Sequence, residues 1–331
     1  MAEQKKRVLF ICPAFFGYEI SIKNALIENG YEVDFFDERT SNNSFAKAIF
    51  RVKKSLLNRV INSYYDNILE KIKLTKYDYF LLIKGEVVPE RFISEFKRNN
   101  PGAKLIYYTY DSFNNNNSNS VYILKHFDTC YSFDFEDVKN NPSLKLKHLF
   151  YTNEYISRPD IADRKYFISF VGSLHSARYT IIRNLFSKLE HTFTFFYMPA
   201  KWFFLLEKLL KKDYRRIKWA EVSFNKLSGR QVADIFKSSK SVVDIQRFGQ
   251  TGLTMRTFEV LAAGAILITT NPYVKHADFY NADRIIILDD VSLPISADEV
   301  KTKIKAAGMN NFDEAQLKKY FINNWVKEFF E

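Results

Sequence analysis

Short apolar runs alternate with helical segments along this chain, and the alternation starts again near Tyr166. The first run covers residues 7–12, and it is followed by the turn PAFFGYE, a helix of about residues 20–29 and a second run at 31–36. Strands that alternate with helices form a parallel sheet covered by helices on both faces. The chain has 331 residues, which is longer than one compact domain usually is. The sequence therefore predicts an α/β protein with two such sheets.

The predicted elements divide into two halves. The first half has further strands at 77–83 and 104–109, with a helix at 89–99 between them. Residues 153–164 contain Arg158-Pro159 and no apolar periodicity, which favours a linker. We expect one domain at 1–153 and a second at 163–306. The second half has strands at 165–171, 192–197, 241–245, 265–269 and 284–288, with helices near 179–189, 202–211, 229–238, 256–263 and 313–329.

Positive charge is concentrated in two segments. The net charge is +11, and residues 45–77 and 201–218 account for it, with eight and seven basic residues against two acidic ones each. No apolar run reaches the roughly 18 to 20 residues that span a bilayer, and the start MAEQKKRVLFICP lacks the features of a signal peptide. Cys12 and Cys130 fit neither a disulfide framework nor a zinc site. These features predict a cytoplasmic protein with affinity for a polyanionic partner.

The strongest motif is GQTGLTMRTFEVLAAGAILITTN, residues 249–271. Because a glycine-bearing turn here leads into a helix, it exposes backbone N–H groups at the positive end of the helix dipole, where a diphosphate binds. Arg256 in the first helical turn can add a bidentate contact to phosphate oxygens. Glu259 follows one turn later and can accept hydrogen bonds from both ribose hydroxyls. The alternative is that Arg256 and Glu259 form an ordinary surface pair at i and i+3.

This motif resembles the nucleotide-binding domain of GT-B glycosyltransferases, especially bacterial enzymes similar to spore-maturation proteins and enzymes that build capsule or lipopolysaccharide. The stretch FVGS followed by Arg178, the stretch IYYTYDS at 106–112 and the stretch FDTCYSFDFED at 127–137 are also similar to that group. The resemblance implies a GT-B fold, in which two Rossmann-like domains have parallel sheets that face a central cleft. It also implies that a C-terminal helix at 311–331 crosses back to the first domain.

The same resemblance assigns a role to each domain. The N-terminal domain would bind the acceptor, and the C-terminal domain would bind the donor, a nucleotide-diphosphate sugar. The acceptor would be a hydroxyl of a cell-surface glycan such as lipopolysaccharide or capsule, either free or lipid-linked. The donor-binding residues would be Gly172, Ser173, Arg178, Gln250, Gly252, Leu253, Thr254, Arg256 and Glu259.

One position departs from the family pattern. Retaining GT-B enzymes often carry a second glutamate eight residues before the one that binds ribose, and Thr251 occupies that position here. This departure favours an inverting mechanism, in which a general base removes the proton of the acceptor hydroxyl. In this fold the base normally comes from the N-terminal half.

Two carboxylates are the candidate catalytic bases. Glu19 lies in the first βα turn and Asp111 follows the strand at 104–109, both at the carboxyl edge of the first sheet, where ligands bind in open α/β folds. The alternatives are a favourable charge at a helix start for Glu19 and a capping or turn residue for Asp111. Glu86 is a weaker third candidate, and Asp134 is expected to brace a turn.

No metal is expected at the donor site. The chain has no DxD motif in a suitable setting, and its five histidines have no ligand spacing. We therefore expect Arg178, Arg256 and a helix dipole to stabilise the leaving diphosphate. Of the histidines only His175 lies in a proposed site loop, where it either contacts the ligand or is a solvated loop residue.

The basic segment from Lys201 to Lys218 combines apolar and cationic side chains. Trp202, Phe203, Leu206, Leu209 and Leu210 alternate with Lys201, Lys208, Lys212 and Arg215 on roughly the opposite face. Such a helix suits an anionic membrane interface, where a lipid-linked acceptor would be found. The alternative is an amphipathic helix that packs on its own sheet and has a solvated basic face.

We therefore expect a metal-independent and inverting glycosyltransferase that uses a nucleotide sugar. Two other functions are compatible with the sequence. A nucleotide-sugar epimerase of the same double-Rossmann architecture is one of them, since fold alone does not distinguish it. A nucleic-acid-binding protein is the other, but the basic residues lie in two helical blocks and no nucleic-acid motif is present.

Overall fold

The computed structural model describes residues 5–39, 54–113, 118–156, 160–246, 249–309 and 314–331. The chain forms two compact units, each of which contains more than one stretch of sequence. Unit 1 consists of Met1–Leu149, Gln250–Gly252 and Ile322–Glu331. Unit 2 consists of Phe150–Gly249 and Leu253–Phe321. Part of the basic segment at 45–77 lies outside the described residues.

Unit 1 is built on a parallel sheet with the strand order β2-β1-β3-β4-β5-β6. The register places Leu9 opposite Asp34 on one side and opposite Phe80 on the other. Its strands are β1 Arg7–Cys12, β2 Glu32–Asp37, β3 Tyr79–Ile83, β4 Lys104–Thr109, β5 Thr129–Ser132 and β6 Leu144–Leu146. Its helices before residue 150 are α1 Tyr18–Glu28, α2 Lys54–Ile72, α3 Glu90–Asn99 and α4 Phe135–Asn140.

The apolar runs of the sequence form the middle of this sheet. All five residues of β3 are buried, as expected for a parallel strand covered on both faces. Phe92 and Phe96 of α3 pack against Phe80, with ring centroids 6.0 and 5.0 Å away. Because all strands of the sheet are parallel, the segments that follow β1, β2, β3 and β4 begin at one edge of the sheet. Both candidate bases lie at this carboxyl edge.

The last ten residues of the chain complete unit 1. The helix Ile322–Lys327, numbered α12 here, places Trp325 in the core with 1% of its surface exposed. The indole Nε1 of Trp325 donates to the carbonyl of His148 at 2.8 Å, and its ring packs against Tyr108. The Asn29 side chain donates to the carbonyl of Asn323 at 2.9 Å.

Unit 2 has a second parallel sheet, with the order β12-β11-β10-β7-β8-β9. Its core contains Ile168, Phe170, Phe204, Val243 and Ile268. Its strands are β7 Tyr166–Ser173, β8 Thr192–Tyr197, β9 Val222–Ser223, β10 Ser239–Asp244, β11 Ile266–Thr269 and β12 Ile285–Ile287. Its helices are α5 Ser176–Leu185, α6 Lys201–Leu210, α7 Lys212–Arg215, α8 Gly229–Lys237, α9 Met255–Ala262, α10 Ala297–Met309 and α11 Glu314–Lys318.

The prediction of an α/β protein with two parallel sheets is confirmed, and most element bounds lie within a few residues of the expected ones. The predicted single helix at 313–329 is wrong, because it is divided into α11 and α12. Between them the backbone leaves the helix to pair with Tyr151, whose N–H donates to the Tyr320 carbonyl at 2.9 Å. In the described part of the chain, no helix is long and apolar enough to cross a membrane.

Candidate active site

Two arginines lie near one aspartate at the carboxyl edge of the sheet of unit 2. Arg178 lies in the first turn of α5, and its guanidinium donates to the carbonyls of Ser173 at 3.3 Å and Ile245 at 3.1 Å. Arg256 lies in the first turn of α9, and its Nη1 is 3.3 Å from Oδ1 of Asp244. In the described structure, the buried Nε of Arg256 has no hydrogen-bond partner.

The electrostatics of this cluster favour an additional anion. Burial lowers the pKa of Arg178 and the positive charge of Arg256 lowers it further, while Asp244 acts in the opposite direction. A guanidinium remains protonated in proteins despite such a shift. The cluster therefore holds two positive charges against one negative charge, and binding of a phosphate group would relieve their repulsion.

Asp244 is a site residue that the sequence interpretation missed. It is the last residue of β10 and only 2% exposed. Its Oδ2 accepts a hydrogen bond from the Thr254 hydroxyl at 2.6 Å, so the same carboxylate orients Thr254 and Arg256. An acid at the end of an apolar strand in a parallel sheet is the pattern that could have identified it.

Glu259 lies one helical turn beyond Arg256 and is buried, with 4% of its surface exposed. The hydroxyl of Tyr155 donates a hydrogen bond to its carboxylate. Burial raises the pKa of Tyr155, and the charge and hydrogen bond of Glu259 raise it further. Tyr155, which the sequence interpretation also missed, thus fixes the orientation of Glu259. Because Glu259 is buried, the alternative of an ordinary surface pair with Arg256 is wrong.

The glycine loop before α9 is divided between the two units. Gln250 and Gly252 belong to unit 1, whereas Leu253 is in unit 2 and only 1% exposed. Within unit 1, a Cβ on Gly252 would lie 2.6 Å from the ring and 2.8 Å from the carbonyl oxygen of Phe133, so only glycine fits. A Cβ on Gly172, at the end of β7, would lie 2.7 Å from the ring of Phe170.

Asp134 anchors this loop within unit 1. Its carboxylate accepts hydrogen bonds from the Thr251 hydroxyl at 2.6 Å, from the Thr251 and Gly252 amides at 3.0 Å each, and from the Ser112 hydroxyl at 2.6 Å. Burial alone would raise the pKa of Asp134, but the hydrogen bonds from Ser112, Thr251 and Gly252 outweigh it and lower that pKa. Asp134 also caps α4. The expectation that Asp134 braces a turn is confirmed, and the same carboxylate also holds the loop before α9.

Glu19 closes the turn between β1 and α1. Its Oε2 accepts a hydrogen bond from the backbone N–H of Phe15 at 2.9 Å, and 9% of its surface is exposed. The turn needs this bond because its last two residues, Phe16 and Gly17, have positive φ angles of 54° and 85°. A left-handed backbone is costly for phenylalanine and is maintained only by surrounding structure. The carboxylate therefore has a structural partner in the turn.

Asp111 is half-exposed at the same edge of the sheet. Its Oδ2 is 2.8 Å from Nζ of Lys84, which is buried and also lies 3.3 Å from Oε2 of Glu86. Glu86 in turn accepts from Arg39 at 3.0 Å. Burial alone would lower the pKa of Lys84, but the charges of Asp111 and Glu86 raise it. Lys84 therefore stays positively charged beside Asp111.

A fully buried carboxylate lies behind this charged cluster. Glu38 follows β2, and its oxygens accept from the backbone amides of Val87 at 2.8 Å and Gly85 at 3.2 Å. Burial raises the pKa of Glu38 to about 7, although the Val87 amide and the charge of Lys84 lower it. Glu38 thus holds the loop after β3 that carries Lys84.

His175 immediately precedes α5 and is exposed. Among the described residues there is no group of three or more His, Cys, Asp or Glu side chains that could hold a metal ion. Independence from metal stays a prediction.

Residues 203–319 match the model of the family described as Glycosyl transferase-like. No curated protein matches the sequence. Among solved structures, HepE from Anabaena in complex with UDP-glucose has a TM-score of 0.62 at 9% identity, with 98% of each chain covered. The UDP-forming α,α-trehalose-phosphate synthase from Burkholderia xenovorans has a TM-score of 0.61 at 9% identity, covering 98% of this chain and 99% of that one. The UDP-GlcNAc 2-epimerase from Methanocaldococcus jannaschii has a TM-score of 0.55 at 10% identity, covering 97% and 98%.

These likenesses define the fold as GT-B. The chain thus has the GT-B fold, and its match to the glycosyl transferase-like family model lies in the half that carries Arg256, Asp244 and Glu259. The narrower subfamily that the motifs suggested stays a prediction.

Proposed function

We propose that the protein transfers a sugar from a nucleoside-diphosphate sugar to a hydroxyl group of an acceptor. The observation that carries this proposal is the cluster of Arg178, Arg256 and Asp244 at the carboxyl edge of the sheet of unit 2. It combines an excess positive charge, a buried guanidinium nitrogen and a helix start, and each of these favours a phosphate group. The two guanidinium groups would bind the diphosphate and stabilise the charge that develops on it as the sugar leaves.

Glu259 is the residue proposed to bind the ribose of the donor. It lies on the same helix as Arg256, one turn further from the helix start, so a nucleotide whose phosphates contact Arg256 can extend along α9. A carboxylate accepts two hydrogen bonds in the geometry of a ribose diol. The hydroxyl of Tyr155 donates a hydrogen bond to the Glu259 carboxylate. This bond restricts rotation of the Glu259 side chain and so orients the carboxylate.

The proposed base of the transfer is Asp111. Its carboxylate is half-exposed and lies 2.8 Å from the ammonium group of Lys84, so it is placed to accept the proton of an acceptor hydroxyl. Glu19 is the weaker candidate, since its carboxylate already accepts the Phe15 amide inside the turn. Glu86 is weaker still, because it binds both Arg39 and Lys84.

The environment of Thr251 supports inversion of configuration. Its hydroxyl and amide are bound to Asp134, so this position supplies neither a carboxylate nor a free side chain. We propose a single displacement, in which the acceptor oxygen attacks the anomeric carbon, the bond to the diphosphate breaks and Asp111 takes the proton. The diphosphate leaves with its charge held by Arg178 and Arg256, without a metal ion.

The acceptor is proposed to be a cell-surface glycan, such as lipopolysaccharide or capsule, that is extended in the cytoplasm. This narrower proposal is supported by the resemblance of the motifs at 106–112, 127–137 and 249–271. An epimerase of the same fold remains the second candidate function, since the epimerase from Methanocaldococcus jannaschii shares the architecture. Binding of nucleic acid has less support, because the basic residues of the sequence lie in two helical blocks.

A thermal-shift screen with UDP, dTDP, GDP, ADP and CMP sugars tests donor binding. We expect one nucleotide to stabilise the protein, and we expect Arg256→Gln and Glu259→Ala to weaken that binding about tenfold or more, as for loss of a charge-assisted contact. Lys188→Gln is the matched control, because Lys188 is exposed and far along the chain from both residues. Unchanged affinity in both site variants would remove the proposed donor site.

Product analysis with and without acceptor distinguishes transfer from epimerisation. A transferase needs the acceptor, whereas an epimerase converts the donor alone. We expect Asp111→Asn to retain donor binding and to lose transfer, while Glu19→Gln retains both. Full transfer activity in Asp111→Asn would exclude it as the base, and conversion of donor without acceptor would favour the epimerase.

A further inference from the structure

The helix α6 has its apolar side chains on the outside of unit 2. Phe204 is fully buried and Glu207 is 8% exposed, so these two residues define the face that packs against the unit. On the opposite face, about half a helical turn away, the large apolar residues are exposed. They are Trp202 at 70%, Leu205 at 50%, Leu206 at 40%, Leu209 at 65% and Leu210 at 70%.

The charged residues in the middle of the helix are bound on the inner side. Glu207 pairs with Lys211 at 2.5 Å, and Nζ of Lys208 donates to the carbonyls of Ile217 at 2.5 Å and Arg215 at 3.3 Å. These bonds hold α7 and the following residues against α6. The alternative of a helix with its basic face in solvent and its apolar face on the sheet is therefore wrong for α6. A surface helix in water normally has its apolar face inward and its charged face outward, and α6 has the opposite arrangement.

Exposed cations precede and follow these apolar residues along the segment. The exposed basic residues of the segment outnumber its single exposed acid, Asp213. Trp219, which is 46% exposed, packs against Phe204 with ring centroids 4.9 Å apart and therefore lies on the inner side of α6. The exposed basic residues are Lys201, Lys211, Lys212, Arg215, Arg216 and Lys218.

We propose that residues 201–219 dock on an anionic lipid bilayer, with the outer face of α6 inserted at the boundary between headgroups and acyl chains. Leucine and tryptophan side chains bind at that depth, and tryptophan is enriched there. Lysine and arginine around the inserted face contact anionic headgroups. A protein partner fits less well, because lysine is depleted at the centre of protein interfaces. This inference goes beyond the proposed sugar transfer, and it does not depend on the donor site.

Membrane docking has a direct consequence for the reaction. A bilayer-bound enzyme meets a lipid-linked acceptor within the membrane surface, where the local concentration of that acceptor is far higher than in bulk water. The proposal thus favours the lipid-linked class of acceptor over a free glycan.

Co-sedimentation with vesicles tests the proposal. We expect binding to vesicles of phosphatidylglycerol and phosphatidylcholine, and weak binding to phosphatidylcholine alone. Trp202→Ser combined with Leu209→Ser should reduce the affinity about tenfold or more, since two inserted side chains are lost. Lys212→Gln should reduce it about fivefold, the factor that corresponds to one cation near an anionic surface, and added salt should have a similar effect.

Two control variants match these changes. Leu74→Ser removes an apolar residue that is 97% exposed in unit 1, and Lys145→Gln removes an exposed cation there. Both should bind vesicles like the unchanged protein. All variants should keep the thermal shift produced by the donor, so that a folding defect or a failure of the proposed function is distinguished from a failure to bind lipid.

Tryptophan fluorescence gives an independent measurement. Trp202 and Trp219 are exposed whereas Trp325 is buried, so insertion should shift the emission to shorter wavelength. Trp202→Phe should keep vesicle binding and lose most of this shift. Binding that is equal for neutral and anionic vesicles, or unchanged in the Trp202→Ser, Leu209→Ser variant, would overturn the proposal. A protein that does not bind vesicles but self-associates in sedimentation velocity would also overturn the proposal, if the Trp202→Ser, Leu209→Ser variant abolishes that self-association. In that case α6 would be an interface between copies of the protein.

Discussion

Replacement of Glu38 by glutamine should change how the stability of unit 1 depends on pH. Glu38 is fully buried, and its pKa is raised from 4.5 to about 7. Between these two values the folded protein binds a proton that the unfolded chain has released. Stability must therefore fall as the pH rises through this window, because the slope has the sign of the protons bound unfolded minus those bound folded.

The magnitude follows from the two pKa values. Integration of the linkage relation from pH 5 to pH 8 gives a loss of about 2.5 kcal/mol from this one group. Glutamine resembles the protonated acid and has no charge to bury, so Glu38→Gln removes this loss. The amide nitrogen of glutamine cannot accept a hydrogen bond from a backbone N–H, so the variant keeps only one of the two bonds from Gly85 and Val87. Loss of the other bond should lower the free energy of unfolding by about 1 kcal/mol at every pH.

The two effects predict that the stability curves cross. The variant should be less stable than the unchanged protein near pH 5 and more stable by about 1 to 2 kcal/mol near pH 8. Urea unfolding can follow unit 1 alone in a background with Trp202→Phe and Trp219→Phe, because Trp325 in unit 1 is then the only tryptophan. Glu70→Gln, which removes an exposed carboxylate, is the control and should leave the pH profile unchanged. Parallel profiles for Glu38→Gln and the unchanged protein would refute the reasoning.

Two further predictions concern the loop before α9. Asp134→Ala should destabilise unit 1 by about 3 to 5 kcal/mol, because it leaves buried donors of Thr251, Gly252 and Ser112 without their acceptor. Ser112→Ala removes one of these donors and should cost only about 1 kcal/mol. Equal losses of stability for the two variants in urea unfolding would contradict the anchoring role of Asp134. Gly252→Ala should cost about 1 to 3 kcal/mol, since its Cβ would overlap Phe133. Gly102→Ala, where a Cβ meets nothing within 4 Å, is its control, and a similar small loss in both would show that the loop accommodates a side chain.

The sequence predicted the elements whose residues carry a continuous apolar pattern. The strands at Arg7–Cys12, Lys104–Thr109 and Thr192–Tyr197 have the expected bounds, because each is a run rich in apolar and aromatic residues between polar turns. The strand Leu144–Leu146 was missed, since three residues at the edge of a sheet have too short a pattern. The helix α10 was missed as well, because its residues 297–309 alternate charged and small side chains with little apolar periodicity.

Sequence spacing indicates which candidate residues lie close together locally. Arg256 and Glu259 are three residues apart on one helix and Arg178 follows a turn, whereas their binding of a common ligand stays a prediction. Asp244 and Tyr155 were missed because their contacts with the α9 region depend on the folding of separate strands and turns. The outward orientation of the apolar residues of α6 also depends on tertiary structure, since periodicity shows that a helix has two faces but not which one is covered.

Unit 1 is assembled from separate stretches of the chain, and this affects how it folds during synthesis. Residues up to Leu149 leave the ribosome before Ile322–Glu331, so the core of unit 1 lacks Trp325 until that later segment has been made. The surfaces around Tyr108 and His148 that receive this side chain stay exposed to water during that time. Unit 1 therefore completes its core only after Trp325 has been translated, and removal of residues 322–331 should destabilise it.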